Sequence, residues 1–333
     1  MDKIDLHLQN IYALHASGKI GDAHQLAQEL ASQLPSDHGA FEILHKIRIE
    51  LLLSQQSDSI KALSVGIERI SHSTSQMLVA DLSHSEAFKD PKRLESFGYC
   101  CASQNEEDGM LQEVFRRIGI TTSTFFEFGV GNGRQNCTLH FLLQGWKGWW
   151  IEIFEPKAAF IREYFKSAIE DGSLTFDTTF VSAENIEEIC KQLQIPPEID
   201  LLSIDIDGND YHVFEAMKSV QARVVVLEYN PRFPPPIKMV GAYDPEYVYA
   251  EHTYIGASLE ALTALAESKG YQLVGCSISG VNAVFVRKDL AAGKFYEPAT
   301  AASFYHPPRY QLSFSGGFGS GGFANFGPTH QSE

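Results

Sequence analysis

The spacing of apolar residues changes twice along the chain and divides it into three regions. In residues 1–75 apolar residues recur every three or four positions, which predicts two or three short helices separated at Gly18 and Pro35. In residues 76–298 helical stretches alternate with short apolar runs, the rhythm of a parallel sheet covered on both faces. Residues 299–333 interleave Gly and Phe, a composition that predicts a disordered or loosely docked tail.

Seven short apolar runs in the middle region predict strands. They are Thr124–Phe128, Gly148–Ile153, Leu174–Phe176, Leu201–Ile206, Val224–Leu227, Tyr271–Val274 and Ala283–Val286. Helical stretches separate the first five, as parallel strands require, whereas only a short stretch containing Gly, Ser and Asn separates the last two. We therefore predict an α/β domain whose chain ends in an antiparallel pair of strands.

The N-terminal helical region has two interpretations. Small and apolar residues between Leu14 and Pro35 resemble a tetratricopeptide hairpin, whose period is about 34 residues. A hairpin of this kind suits a peptide-binding groove. Because only one unit and part of another are visible, the pattern favours a helical cap or a surface for dimerisation or a protein partner.

Charge and composition narrow the classes of partner. The formal net charge of −16 disfavours binding to nucleic acids and to anionic membranes. No apolar run approaches the length of about 18 residues that a membrane span needs, and the first ten residues lack the apolar block of a secretory signal. The five cysteines form no C-x-x-C pair, so we expect reduced thiols and a cytoplasmic protein.

A glycine-rich loop follows the first predicted strand. The segment Glu127-Phe128-Gly129-Val130-Gly131-Asn132-Gly133 precedes a helical stretch, where glycines allow a tight turn and a close approach of the backbone to a ligand. A dinucleotide fingerprint starting at Gly129 would need glycine where Arg134 stands. The spacing E-x-G-x-G-x-G instead resembles the first motif of class I S-adenosylmethionine-dependent methyltransferases, which implies that Glu127 faces the methionine part of the cofactor.

A second carboxylate is expected at the end of the next strand, where it can accept hydrogen bonds from ribose hydroxyls. Glu152 and Glu155 both lie at a suitable distance along the chain, and we favour Glu152. The other glutamate is then a solvated acid at a helix start before Pro156.

Four segments between about residues 97 and 290 resemble the FkbM-type methyltransferases. They are residues 103–109 (SQNEEDG), the glycine loop, residues 200–211 (DLLSIDIDGNDY), and Gly256-Ala257-Ser258-Leu259 with Val281-Asn282-Ala283. The resemblance implies a Rossmann-like, seven-stranded class I methyltransferase sheet with S-adenosylmethionine over the carboxyl ends of its strands.

The same resemblance implies further cofactor contacts. Ser182, Glu184 and Asn185 fall where the family contacts adenine, and Asp205 also counts among the cofactor-binding residues. Gln104 and Asp108 belong to a segment expected to fold over the cofactor. Helix capping is the alternative for that segment, because Ser103 stands three residues before Glu106.

Several polar residues are candidates for the reacting end. Asp205, Asp207, His212 and His252 are candidate bases for a protonated acceptor. Asp207, Glu228 and Asn230 are alternative Mg²⁺ ligands. In the plainer alternative, Asp207 caps the next helix and backbone amides hold Asp205. The wall of an acceptor pocket is expected from residues 234–236, which are all proline, and from Tyr243, Tyr247, Tyr249 and Tyr254.

The leading prediction is therefore an O-methyltransferase that acts on a hydroxyl of a small molecule or glycan. One alternative is a catalytically silent methyltransferase fold that serves as an interaction module. The other is an NAD-dependent oxidoreductase, which Arg134 disfavours.

Overall fold

The computed structural model describes residues 9–11, 13–14, 17, 19–32, 74–75, 77–79, 81–83, 85–246 and 256–309. The chain forms two compact units, Met1–Ile70 and Ser71–Glu333. In the first unit, helix α1 (Ile20–Ser32) lies within the predicted helical region and buries Ala23 and Ala27. Residues 33–73 lie outside the described residues, so the tetratricopeptide-like arrangement stays a prediction. No helix in the described part of the chain is long and apolar enough to span a membrane.

The second unit contains a seven-stranded mixed sheet. Its strands are β1 (Thr124–Phe128), β2 (Lys147–Ile151), β3 (Leu174–Asp177), β4 (Glu198–Ile204), β5 (Gln221–Glu228), β6 (Tyr271–Cys276) and β7 (Asn282–Arg287). They are ordered β3-β2-β1-β4-β5-β7-β6. Strands β1 to β5 are parallel to their neighbours, while β7 is antiparallel to both β5 and β6. The predicted fold class and the terminal antiparallel pair are thus confirmed.

Helices cover both faces of the sheet because neighbouring residues of each strand point to opposite faces. The helices are α2 (Glu107–Ile118), α3 (Leu139–Leu143), α4 (Glu155–Tyr164), α5 (Lys166–Glu170), α6 (Ile186–Gln192), α7 (Asp210–Ala216), α8 (Leu259–Ser268), α9 (Lys288–Ala291) and α10 (Ala301–Phe304). On β1, Phe126 and Phe128 join the core cluster that includes α6, α7 and α8. Phe125 joins the opposite cluster, which includes α2, α3 and α4.

Strand register brings several polar residues to one edge of the sheet. Phe128 pairs with Ile151 on one side and with Ile204 on the other, and Ile204 pairs with Leu227. The residues that follow these four positions therefore lie at the same level, at or just beyond the carboxyl ends of the parallel strands. They are Gly129, Glu152, Asp205 and Glu228.

The packed part of the chain extends further toward the C terminus than the composition predicted. We expected a tail from residue 299, but α10 buries Ala301 and Phe304 in the core. His306 is also buried, with its Nε2 3.5 Å from the carboxylate of Glu95. Residues 310–333 lie outside the described residues.

Candidate functional site

The three glycines of the loop after β1 differ in their surroundings. All three have positive φ angles, 82° at Gly129, 60° at Gly131 and 74° at Gly133, which L-residues with side chains rarely adopt. A Cβ on Gly129 would lie 1.5 Å from the carbonyl oxygen of Asp205, and one on Gly133 would lie 2.8 Å from the ring of Trp150. These two glycines allow the chain to pack closely.

Gly131 is different because the space beside it is open. The nearest atom that a Cβ would meet there is the Lys157 Nζ, at 4.0 Å. A glycine with no close protein neighbour at the edge of a parallel sheet is the position at which a ligand can approach the backbone. The middle glycine therefore faces the space that a cofactor would occupy.

Glu127 shapes the far end of the same loop. Its buried carboxylate accepts hydrogen bonds from the backbone N–H groups of Cys137 (3.0 Å) and Thr138 (3.2 Å), and from the Thr138 hydroxyl. Burial raises the pKa of Glu127 even though these donors oppose the shift. Both oxygens of Glu127 thus accept hydrogen bonds within the protein, and the expected contact of Glu127 with a cofactor stays a prediction.

Glu152 and Glu155 have separate roles in the structure. Glu152 follows the last residue of β2 and is 7% exposed, with its Oε1 accepting the Phe154 N–H at 2.8 Å. Glu155 begins α4 on the surface, where its Oε1 lies 2.8 Å from Nη1 of Arg162. The position of Glu152 suits a ribose ligand, whereas Glu155 forms a solvated ion pair.

Three carboxylates meet beyond β4 and β5. Asp205, Asp207 and Glu228 each offer an oxygen within 4.8 Å of the others. Burial, followed by the charges of Glu228 and Asp207, raises the pKa of Asp205 well above its ordinary value. Burial also raises the pKa of Asp207, and the nearby charge of Lys157 opposes that shift. Such a cluster can accept a proton or bind a cation.

Two details of this cluster differ from the sequence prediction. Asp205 and Asp207 come together in a loop and not on a strand, because β4 ends at Ile204 and Asp207 has a φ of 58°. Asp205 joins Asp207 and Glu228 in the cluster, whereas the predicted metal set combined Asp207 and Glu228 with Asn230. The Asn230 Oδ1 accepts the Arg232 N–H at 3.0 Å, and its part in a metal site stays a prediction.

Asp207 does not cap the helix that follows it. Helix α7 begins at Asp210, and its N-cap residue is Asn209, which makes no side-chain capping bond. Asp210 accepts the N–H groups of Ile206 (2.8 Å) and Gly208 (2.9 Å) and so holds the loop that carries Asp207. Asp210, which sequence reasoning did not single out for this role, thus shapes the loop around Asp207.

The residues expected at adenine form a compact turn after β3. The Asn185 side chain accepts the Ser182 N–H at 2.8 Å and donates to the Phe180 carbonyl at 2.7 Å. Glu184 accepts a hydrogen bond from the Tyr243 hydroxyl, which also accepts the Ala183 N–H at 3.1 Å. Tyr243 thus ties the segment after β5 to this turn.

The segment before α2 is buried and internally bonded. Asp108 accepts the N–H groups of Cys101, Ala102 and Ser103 through one oxygen, while Gln104 is exposed. Helix α2 begins at Glu107 without a side-chain cap, so the alternative capping box is absent. The carboxylate of Asp108 therefore orders the backbone of its own loop.

Of the two candidate histidines, the structure describes only His212. His212 Nε2 lies 2.9 Å from the Gly241 carbonyl oxygen, and its ring lies 5.0 Å from that of Tyr243. This contact places His212 against the segment after β5. His252 and the tyrosines at 247, 249 and 254 lie outside the described residues.

Comparison with known families gives a match over the central part of the chain. Residues 115–273, just under half of the chain, match the model of the methyltransferase FkbM domain. These residues form an FkbM methyltransferase domain. Their family and fold are those of S-adenosylmethionine-dependent methyltransferases. The family match does not favour the interaction-module or oxidoreductase alternatives.

Comparison with solved structures gives matches of low sequence identity over about half of this chain. The pyocyanin biosynthetic protein PhzM is 14% identical, with 53% of this chain and 54% of that chain covered and a TM-score of 0.35. A methyltransferase from Clostridium acetobutylicum is 10% identical, with 53% and 88% covered and a TM-score of 0.33. The N-terminal domain of EvdMO1, solved with SAH and D-fucose, is 13% identical, with 54% and 82% covered and a TM-score of 0.37. This chain spans about half the length of PhzM. No curated protein sequence is significantly similar to this chain.

The FkbM domain extends in space beyond the matched residues. Strand β7 lies after the match and pairs with β5, so that Asn282 lies opposite Glu228. The Asn282 Nδ2 donates to Glu107 at 2.8 Å, and Glu107 precedes the match. Residues on both sides of the matched segment therefore complete the domain beside the carboxylate cluster.

Proposed function

We propose that this FkbM domain transfers the methyl group of S-adenosylmethionine to a hydroxyl group of a small molecule or glycan. The observation that carries the proposal is the placement of three carboxylates directly beside an open glycine loop. The loop and the cluster are adjacent, since Gly129 packs against the backbone of Asp205.

The loop and the neighbouring strand ends suit the cofactor. The backbone at Gly131 leaves room for the ligand, and Glu152 offers a carboxylate for the ribose hydroxyls. Next to Glu152, the exposed side chains of Ile153 and Phe154 offer apolar surface for the adenine ring. Ser182 and Asn185 lie on the turn after β3, where the family resemblance implies adenine contact.

The carboxylate cluster suits a hydroxyl acceptor. When S-adenosylmethionine is bound, it supplies an electrophilic methyl group. The carbon–sulfur bond breaks as the carbon–oxygen bond forms, and the hydroxyl proton must go to a base. Asp205 and Asp207 are candidates, since a carboxylate with a raised pKa holds a proton more readily than an ordinary one.

The same cluster offers a second mechanism. Three carboxylate oxygens within 4.8 Å of one another are hard ligands of the kind that Mg²⁺ prefers. A bound cation would lower the pKa of a coordinated hydroxyl, so that a separate base would be less important. Asp207 takes part in either mechanism.

Two measurements on the full chain test the proposal. S-adenosylhomocysteine should raise the melting temperature, and the shift should grow with ligand concentration. Transfer of a labelled methyl group to sugars and small alcohols then tests the acceptor, and EDTA with Mg²⁺ add-back separates the two mechanisms. Absence of a thermal shift at millimolar ligand would refute the methyltransferase proposal, and labelling of amines alone would refute O-methylation.

A further inference from the structure

One buried side chain next to the glycine loop has no partner in the protein. Asn136 is 6% exposed, and within the described part of the chain neither its Oδ1 nor its Nδ2 makes a hydrogen bond. A buried amide without partners is rare in folded proteins because its lost hydration is not replaced. The free amide therefore indicates a polar ligand.

Other asparagines around the site do not share this property. Four of them use their side chains in hydrogen bonds within the protein. They are Asn132, Asn185, Asn209 and Asn282. The Asn105 Oδ1 and the Asp108 Oδ1 also lack a partner, but each of those side chains makes another hydrogen bond, whereas both amide atoms of Asn136 are unpaired. The position of Asn136 in the chain indicates which ligand it can meet.

Asn136 lies three residues after Gly133 and directly before Cys137. The N–H of Cys137 donates to Glu127, so this part of the chain turns back over the end of β1. The charges of Glu107 and Glu127 both raise the pKa of the buried Cys137 thiol, after burial itself. Burial is the larger cause of this shift, and the two glutamates show that carboxyl groups lie close to this segment.

We infer that Asn136 binds the amino-acid end of S-adenosylmethionine and S-adenosylhomocysteine. An amide oxygen can accept from the ligand ammonium while the amide nitrogen donates to the ligand carboxylate. Glu127, the acid expected to face this part of the cofactor, already uses both oxygens on Cys137 and Thr138. A carboxylate only accepts hydrogen bonds, so the ligand carboxylate needs a donor, and Asn136 supplies both kinds of hydrogen bond. This inference rests on the proposed cofactor.

The test compares two ligands that differ only at this end. S-adenosylhomocysteine carries the amino-acid group, whereas 5′-methylthioadenosine has the same nucleoside and thioether but lacks it. In calorimetric titrations of the full chain, Asn136→Ala should weaken S-adenosylhomocysteine binding by about 10- to 100-fold. Binding of 5′-methylthioadenosine should stay within about twofold of the wild type, because no contact to it is removed.

Two further variants make the result specific. Asn136→Leu keeps roughly the size of the side chain but neither accepts nor donates a hydrogen bond, so it should weaken S-adenosylhomocysteine about as much as alanine does and leave 5′-methylthioadenosine unchanged. It also serves if the alanine variant does not fold. Gln192→Ala removes an exposed side-chain amide from α6, outside the glycine loop, and should change neither affinity.

The outcomes separate this inference from the proposed function. If the wild type binds neither ligand, the proposed cofactor is wrong and the inference fails with it. If the wild type binds S-adenosylhomocysteine and Asn136→Ala weakens both ligands equally, the residue only shapes the loop. Unchanged affinities in both Asn136 variants would place the amino-acid end elsewhere. Each of these last two results overturns the inference while leaving the methyltransferase proposal intact.

Discussion

Replacing Gly131 with alanine tests whether the open space beside the loop belongs to the cofactor. The added Cβ would meet only the end of the Lys157 side chain, at 4.0 Å. The cost to the folded protein is then that of a side chain at a φ of 60°, about 1–2 kcal/mol. Gly131→Ala should therefore fold, with a modest loss in the free energy of unfolding.

Binding should suffer more specifically than folding. A methyl group inserted where a ligand packs costs about 1–3 kcal/mol, which corresponds to an S-adenosylhomocysteine affinity about 5- to 150-fold weaker. Urea unfolding measures the first effect, and isothermal titration measures the second. Both use the same purified variant, so that unfolded protein is not mistaken for lost affinity.

Gly145→Ala is the matched control. Gly145 has a φ of 85° and no atom within 4 Å of the added Cβ, so the conformational cost is similar. It lies between α3 and β2, outside the glycine loop, and its substitution should leave ligand affinity unchanged. Equal ligand affinities in the two variants would refute the assignment of the space beside Gly131 to the cofactor.

Three other predictions address single carboxylates. Glu152→Ala should weaken S-adenosylhomocysteine binding by about 1.5–3 kcal/mol in calorimetry because the ribose hydroxyls lose their acceptor, while Glu155→Ala should change it little. A larger loss of affinity in Glu155→Ala than in Glu152→Ala would contradict the assignment of Glu152 to the ribose hydroxyls. Asparagine tolerates the positive φ of position 207. Asp207→Asn should therefore leave ligand affinity intact while lowering the methylation rate about 10²-fold. Full activity of this variant on a true acceptor would exclude a role of Asp207 in methyl transfer. Burial, followed by the charge of Glu107, raises the pKa of Glu106 from 4.5 to about 8. Because the folded state holds this proton more tightly, stability is lost as pH rises through this interval. Relative to the wild type, Glu106→Gln should gain up to about 1.4 kcal/mol per pH unit between pH 5 and 8 in urea unfolding, and parallel pH profiles would contradict this assignment.

The strand pattern was predictable because it depends on local hydrophobicity. Thr124–Phe128 was predicted with both of its bounds, and each of the other six strands overlaps its predicted run. Helical stretches between the first five runs also indicated parallel pairing. The order of the strands in the sheet was not predicted, since spacing along the chain does not determine it.

The composition of the carboxylate cluster needed the strand register. Asp205 and Glu228 are 23 positions apart in sequence, yet they lie at one level because Ile204 pairs with Leu227. The alternation of Asp205 and Asp207 suggested a strand through Ile206. The chain leaves β4 two residues earlier because Asp210 binds the backbone of the turn. The sequence named all three residues as candidates, but it paired Asp205 with Asp207 and Asp207 with Glu228, and only the pairing between strands brings the three together.

Composition placed the start of the C-terminal tail too early in the chain, at a segment that packs next to the site. Residues 299–333 resemble a tail as a whole, yet the Tyr229 hydroxyl donates to the His306 carbonyl oxygen at 3.0 Å. Tyr229 is fully buried between Glu228 and Asn230 in the chain, so this contact fixes the backbone from which Glu228 projects. Such a bond joins positions far apart in sequence, and no local pattern predicts it. The carboxylate cluster therefore depends on a segment beyond the residues that match the FkbM model.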